Sequence, residues 1–127
     1  MELLPVGIEL NVDGKPRHLL FSIKAIYEIE EFYSEPVISV LRGMLGADGK
    51  SYNYLWHTLT ILLNNDVELH NIEHPDDKWE KLSDEYVGLK ILTLSNIGAV
   101  AAKVIEAFNA GMPKRQEDDD TDPTTSR

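Results

Sequence analysis

Apolar and polar residues alternate at the start of the chain, which is the pattern of a β-strand with one buried face. The pair Asp13-Gly14 follows this stretch and is a strong signal for a two-residue hairpin turn, because both residues tolerate positive φ. The simplest register across that turn pairs Leu10 with Arg17, Glu9 with His18, Ile8 with Leu19 and Val6 with Phe21. We therefore expect a β-hairpin with one apolar face.

Beyond the hairpin, apolar residues recur three and four positions apart, which predicts helices. Ser22 is a suitable N-cap for a first helix over residues 23–33, because its hydroxyl can accept a hydrogen bond from a free backbone N–H group of the first turn. Pro36 can begin a second helix over residues 37–45, which Gly46 then ends.

The strongest helical pattern follows Ser51, which we expect to be the N-cap of a central helix. The main stripe of this helix is formed by Tyr52, Leu55, Trp56, Leu59, Leu62 and Leu63. Residues 64–81 are polar and contain Pro75. They therefore predict a long loop, or a loop that holds one short helical piece around Trp79.

Two further helix starts follow this polar segment. Ser83, with two acidic residues after it, indicates a helix start ahead of the apolar stretch 86–94. Ser95 or Asn96 can then restart a last helix. The apolar stripe of that helix consists of Ile97, Val100, Ala101, Val104, Ile105 and Phe108.

These elements predict one α+β domain over residues 1–112, an N-terminal β-hairpin followed by a mostly helical bundle. A chain of 127 residues suits one domain with its own core. From Lys114 onwards the chain holds no apolar residue and cannot offset the entropy of ordering. We expect residues 113–127 to form a disordered acidic tail.

Charge and composition exclude several classes of function. The net charge is −10, of which the three basic and five acidic side chains from Pro113 onwards contribute only −2. An acidic domain of this kind argues against binding nucleic acid or an anionic membrane surface, because both are bound by clustered basic residues. The sequence has no cysteine, no basic signal segment and no run of about 20 apolar residues. We therefore expect a cytoplasmic protein whose partners are other proteins.

One short motif suggests a metal site. Residues 70–74, His-Asn-Ile-Glu-His, match the H-x-x-E-H pattern, in which two histidines hold zinc and a glutamate activates water. Pro75 follows at once, and five-residue patterns arise easily by chance. We predict no catalytic, metal or cofactor site, and zinc chemistry at His70, Glu73 and His74 is the enzymatic alternative.

Aromatic residues are the best candidates for partner binding, because large aromatic side chains anchor protein interfaces. On the central helix, Tyr54 and Ile61 lie away from the main stripe, so this helix is either buried on two sides or presents a face to a partner. The predicted partner-binding residues are Tyr27, Tyr33, Tyr54, Trp56, Ile61 and Trp79. For any one of them, packing in the core is the alternative.

The segment from Ile8 to Leu45, IELNVDGKPRHLLFSIKAIYEIEEFYSEPVISVLRGML, resembles the start of the tail assembly chaperones of long-tailed bacteriophages. As in that family, a hairpin runs into a helix with an acidic and aromatic end, Glu30-Glu31-Phe32-Tyr33. The later helices and the Ala-rich last helix extend the resemblance over residues 6–112.

The resemblance implies a function in phage assembly. Members of that family bind the long helical tape-measure protein in the host cytoplasm, keep it soluble and help to bring tail-tube subunits to it, and they are absent from the finished virion. Many are also made in a longer frameshifted form, whose extension would attach here in the tail. We expect self-association, because several copies are needed along a long client. The alternative is a small structural component of the tail or head–tail joint, whose hairpin pairs with neighbouring subunits by strand addition.

Overall fold

The computed structural model of the chain describes residues 8–12 and 14–111. Within them, two strands precede five α-helices, and one π-helical turn continues the fourth helix. The elements are β1 (Ile8–Val12), β2 (Lys15–Leu19), α1 (Ile23–Tyr33), α2 (Val37–Gly43), α3 (Gly49–Glu73), α4 (Asp84–Tyr86), the π-helical turn (Val87–Ile91) and α5 (Ile97–Gly111). This order confirms the predicted α+β class.

The hairpin has the predicted register. β1 and β2 are antiparallel, with Leu10 opposite Arg17 and Glu9 opposite His18. Gly14 adopts a φ of +77° in the turn, a conformation that costs glycine little because it has no Cβ. The predicted pair Val6–Phe21 and residues 113–127 involve positions outside the described residues. α3 packs against β2, and α5 packs against both strands.

The first two helices begin where the sequence predicts. Ser22 caps α1, and its Oγ accepts a hydrogen bond from the backbone N–H of Ala25 at 2.9 Å. α2 ends at Gly43, two residues earlier than predicted. Gly43 packs against the ring of Tyr54 so closely that a Cβ at this position would clash with the ring.

The central helix is longer at both ends than predicted. α3 begins at Gly49, and the carboxylate of Asp48, not the side chain of Ser51, caps it by accepting from the Ser51 N–H at 2.9 Å. The helix then continues to Glu73 and so occupies the first half of the predicted loop. Two polar residues in this part of the helix bind the N-terminal part of the chain. Asn65 accepts a hydrogen bond from the Ser22 hydroxyl at 2.7 Å, and Asp66 accepts one from the His18 N–H at 3.0 Å. Asn65 and Asp66 are both buried.

The segment between α3 and α4 is held in place by two asparagines of α3. Asn71 accepts from the backbone N–H of Trp79 at 2.8 Å and donates to its carbonyl oxygen at 3.1 Å. Asn64 makes the same two bonds with Leu82, both at 2.8 Å. The segment is therefore bound to α3 by paired hydrogen bonds. Of the two predicted alternatives, the structure has the loop without a helical piece around Trp79.

The last part of the chain completes the core. Ser83 caps α4 as predicted, because its Oγ accepts from the Tyr86 N–H at 3.0 Å. The predicted stripe of α5 faces inward, and Val100 and Val104 are buried. Among the described residues, no helix combines the length and the hydropathy needed to cross a membrane. The largest fully buried apolar side chains are Leu19, Ile29, Val40, Leu55, Leu59, Leu62, Leu63, Val67, Val87 and Val104.

Candidate protein-binding groove

An open apolar groove of about 710 Å³ lies between the first half of α3, the segment from α4 to the π-helical turn, and the start of α5. Leu89 and Leu94 on its walls are 73% and 85% exposed. Apolar side chains this exposed and this close together mark surfaces where other proteins bind. The apolar lining residues are Trp56, Leu89, Leu92, Leu94 and Ile97.

Local backbone structure directs the leucines outward. The N–H of Leu92 donates to the carbonyl oxygen of Val87 at 2.9 Å. A hydrogen bond between residues five positions apart defines a π-helical turn. This turn buries Val87 and Ile91 and leaves Leu89 exposed. π-helical turns of this kind are frequent at functional sites.

Leu94 projects from a turn with its own hydrogen bonds. The N–H of Thr93 donates to Oδ1 of Asn96 at 2.8 Å, and the N–H of Asn96 donates to Oγ1 of Thr93 at 3.2 Å. The Asn96 side chain also donates to the carbonyl oxygen of Ile91 at 2.9 Å. The backbone that carries the exposed leucine is thus held by hydrogen bonds, so a binding event would lose little backbone entropy there.

Trp56 and His57 fix the wall of the groove to α3. The indole N–H of Trp56 donates to the carbonyl oxygen of Asp84 at 2.7 Å, and Nδ1 of His57 lies 3.1 Å from Oδ1 of the same residue. The rings of Trp56 and His57 stack with their centroids 4.3 Å apart. Gly88 approaches so closely that an added Cβ would lie 2.7 Å from the Trp56 ring.

The polar residues of the groove give it a negative rim. Asp84 and Glu85 both line it and are exposed, and no lysine or arginine is among the lining residues. An apolar floor with an acidic rim complements a helix whose apolar stripe is flanked by basic side chains.

A second, smaller cavity of about 260 Å³ lies on the other side of His57, and four of its lining residues are charged: Glu28, Glu68, Lys81 and Asp84. Glu68 there accepts from Lys81 at 2.7 Å and from Lys24 at 3.0 Å, and Lys24 also reaches Glu28 at 2.6 Å. Partial burial opposes ionisation of Glu68, but the hydrogen bonds from the two lysines lower its pKa. The hydrogen bonds to Glu28 and Glu68 raise the pKa of Lys24. An apolar ligand would remove these charged groups from water at a cost in free energy, so this cavity is a poor site for one.

The six predicted partner-binding residues do not form one site. Trp56 lines the groove and Ile61 lines the charged cavity, while Tyr27 is exposed on α1. Tyr54 is buried, which agrees with its alternative interpretation as a core residue, and its hydroxyl donates to Glu35 at 2.5 Å. The remaining two are Tyr33, whose hydroxyl donates to the carbonyl oxygen of Asn53 at 2.6 Å, and Trp79, which stacks on His70.

Sequence reasoning missed the leucines of the groove. The apolar stretch 86–94 is evident in the sequence, but its spacing does not distinguish the buried Val87 and Ile91 from the exposed Leu89. The only signal for them is that Leu89 and Leu94 belong to no continuous helical stripe.

The histidine motif at 70–74 lies at the end of α3. The Nε2–H of His70 donates to the carbonyl oxygen of Asp77 at 2.7 Å, and its ring stacks on Trp79 at 3.6 Å. Glu73 and His74 are exposed. Within residues 8–12 and 14–111, no group of three or more histidine, cysteine, aspartate or glutamate residues is placed to hold a metal ion.

A scan against protein-family models and searches of curated proteins and of solved structures found no match to the chain.

Proposed function

We propose that the protein is a tail assembly chaperone of a long-tailed phage, which binds apolar helical segments of the tape-measure protein in the groove beside Trp56. The observation that carries the proposal is the apolar groove with its two exposed leucines, Leu89 and Leu94. The resemblance of residues 6–112 to that family supplies the identity of the client.

The groove is suited to one face of a helix. An α-helix with its side chains is about 10–12 Å across, and an amphipathic helix buries its apolar stripe in a hydrophobic groove of this kind. A segment of a tape-measure protein, separated from its partners before assembly, exposes such stripes. Covering them with an acidic protein of net charge −10 would oppose aggregation by electrostatic repulsion between complexes.

The test compares exposed apolar residues inside and outside the groove. Leu89→Glu and Leu94→Glu place a charge in the groove at positions that are 73% and 85% exposed, so the fold should tolerate both. Ile23→Glu and Ile72→Glu are matched controls, because these side chains are 85% and 77% exposed and do not line the groove. Each variant is co-expressed with the tape-measure protein of the same phage.

We expect the wild type and both isoleucine variants to keep the client soluble and to co-elute with it, and the two leucine variants to lose at least about tenfold in affinity. A loss of that size corresponds to about 1.4 kcal/mol, well within the range for a residue at the centre of an interface. Equal binding by all four variants would show that the groove is not the binding site. A client that stays insoluble with the wild type, together with this protein in purified virions, would instead favour a structural tail component.

A further inference from the structure

The backbone groups on the outer edges of the hairpin follow from its register. Val12 and Lys15 flank the two-residue loop and oppose each other. The residues that flank such a loop exchange hydrogen bonds, so alternate residues of each strand point their N–H and C=O groups toward the other strand. The other residues of each strand point their N–H and C=O groups away from the hairpin. These outward residues are Glu9 and Asn11 on β1 and Pro16 and His18 on β2.

The outer edge of β2 is closed to further strands. Pro16 has no N–H to donate. The N–H of His18 is occupied, because it donates to the carboxylate of Asp66 on α3 at 3.0 Å. α3 itself packs along β2. Neither outward residue of β2 can therefore donate a hydrogen bond to a new neighbour.

Within residues 8–12 and 14–111, no strand or helix is hydrogen-bonded to the outer edge of β1. Glu9 and Asn11 are exposed, and among the described residues no hydrogen bond occupies their outward N–H and C=O groups. An edge strand with free backbone groups is a template for pairing with another strand.

We propose that β1 pairs antiparallel with β1 of a second copy of this chain, about a two-fold axis at Leu10, to form one four-stranded sheet. Leu10 is the middle residue of Ile8–Val12, so this register uses the full length of both strands. It sets Glu9 of each copy opposite Asn11 of the other, and each such pair exchanges two backbone hydrogen bonds.

Charge selects this register and this occupant. With Leu10 at the axis, each Glu9 carboxylate faces an asparagine amide, which can donate a hydrogen bond to it. With Glu9 at the axis, two carboxylates would oppose each other directly, which is destabilising. With Leu10 at the axis the edge therefore complements its own sequence, which is the self-complementarity that a two-fold interface requires.

The helical layers are compatible with this arrangement. Val12 and Leu10 pack on the side of β1 that faces the core, so a two-fold axis perpendicular to the sheet places the helices of both copies on the same side.

A charge exchange tests the pairing by the mass of the full chain in solution. Asn11→Glu places a glutamate opposite Glu9 of the other copy, at two symmetric positions of the interface. It should weaken dimerisation about tenfold or more. Adding Glu9→Lys in the same chain creates two opposite-charge pairs and should restore the dimer. Asn53→Glu adds the same charge at an exposed position on α3 and should leave the dimer intact.

Cross-linking tests the register. The chain has no cysteine, so Leu10→Cys supplies one thiol per copy. At the axis the two Cα atoms would lie about 4.5–5.5 Å apart, within the range of a disulfide. A cysteine at the exposed Glu31 is the control and should remain free.

We expect a dimer for the wild type, dissociation by Asn11→Glu, rescue by the double variant and a disulfide at position 10 only. A wild type that remains monomeric at high concentration would overturn the proposal. So would a dimer that Asn11→Glu leaves unchanged, because its interface would then lie elsewhere. Far-ultraviolet circular dichroism of each variant separates a lost interface from a lost fold. Because the groove is not involved, loss of the dimer leaves the test of client binding independent.

Discussion

Two tryptophans, Trp56 on α3 and Trp79 in the segment after it, each stack on a histidine of α3, yet their surroundings differ. Trp79 lies between His70, whose ring is 3.6 Å away, and Arg17, whose guanidinium is 4.1 Å from the Trp79 ring. Trp56 stacks on His57 at 4.3 Å and borders the open groove. The stack at Trp79 is therefore closed by a cation, whereas the stack at Trp56 is open to the groove.

The largest effect on stability is expected at the closed stack. Trp79→Ala removes the ring between His70 and Arg17 and should lower the free energy of unfolding by about 3 kcal/mol. Urea denaturation gives this value, and Lys78→Ala at the exposed neighbouring position is the control. At low temperature, where the variant is folded, it should bind the client as the wild type does. A loss of binding without a loss of stability would reverse the roles assigned to the two tryptophans.

A smaller effect on stability, with a larger effect on binding, is expected at the open stack. Gly88→Ala places a Cβ within 2.7 Å of the Trp56 ring, so the indole must move away from its bond with Asp84. Such overpacking costs about 1–3 kcal/mol and should reduce client binding.

Gly98→Ala is the matched control for that change. Its added Cβ has no neighbour within 4 Å, and alanine in a helix is favoured over glycine by about 1 kcal/mol. Thermal unfolding should therefore show opposite shifts for the two variants. If Gly88→Ala unfolds and binds as the wild type does, the contact between Gly88 and Trp56 does not shape the groove.

The two regions also differ in what could be predicted from sequence. The hairpin register, the Ser22 and Ser83 caps and the stripe of α5 follow from local patterns, and the structure confirms them. The second half of α3 could not be predicted from a local pattern, because asparagines such as Asn64 and Asn71 are typical of loops. Their side chains bind the backbone of Leu82 and Trp79 instead, and a sequence pattern cannot reveal partners that lie far along the chain.

The same limit applies to the groove. Trp56 is conspicuous as an aromatic residue on a strong helix, so it could be selected from the sequence. The exposure of Leu89 and Leu94 depends instead on a π-helical turn and on the hydrogen bonds of Asn96. A substitution that restores a regular α-helical turn there would move Leu89 relative to the buried Val87.

The smallest expected effect concerns the end of α3 nearest the groove, which is capped by a carboxylate. The hydrogen bond from the Ser51 backbone N–H holds the pKa of Asp48 below its ordinary value, and the positive end of the helix dipole favours the same ionised form. A lowered folded pKa means that the ionised cap contributes its full stability above the ordinary carboxyl pKa of about 3.9. That contribution is lost as the pH falls through the lowered value.

Asp48→Asn keeps a cap that can accept the hydrogen bond but removes the charge. The wild type should therefore exceed this variant in stability by a constant small margin at neutral pH, and the margin should shrink below about pH 4. Glu31→Gln, at an exposed position on α1, controls for the loss of one negative charge. Denaturation at several pH values measures the margin, and a margin that grows toward low pH would contradict a lowered pKa for Asp48. The other end of α3 closes with a backbone hydrogen bond from the N–H of His74 to the carbonyl oxygen of His70, and this bond does not titrate.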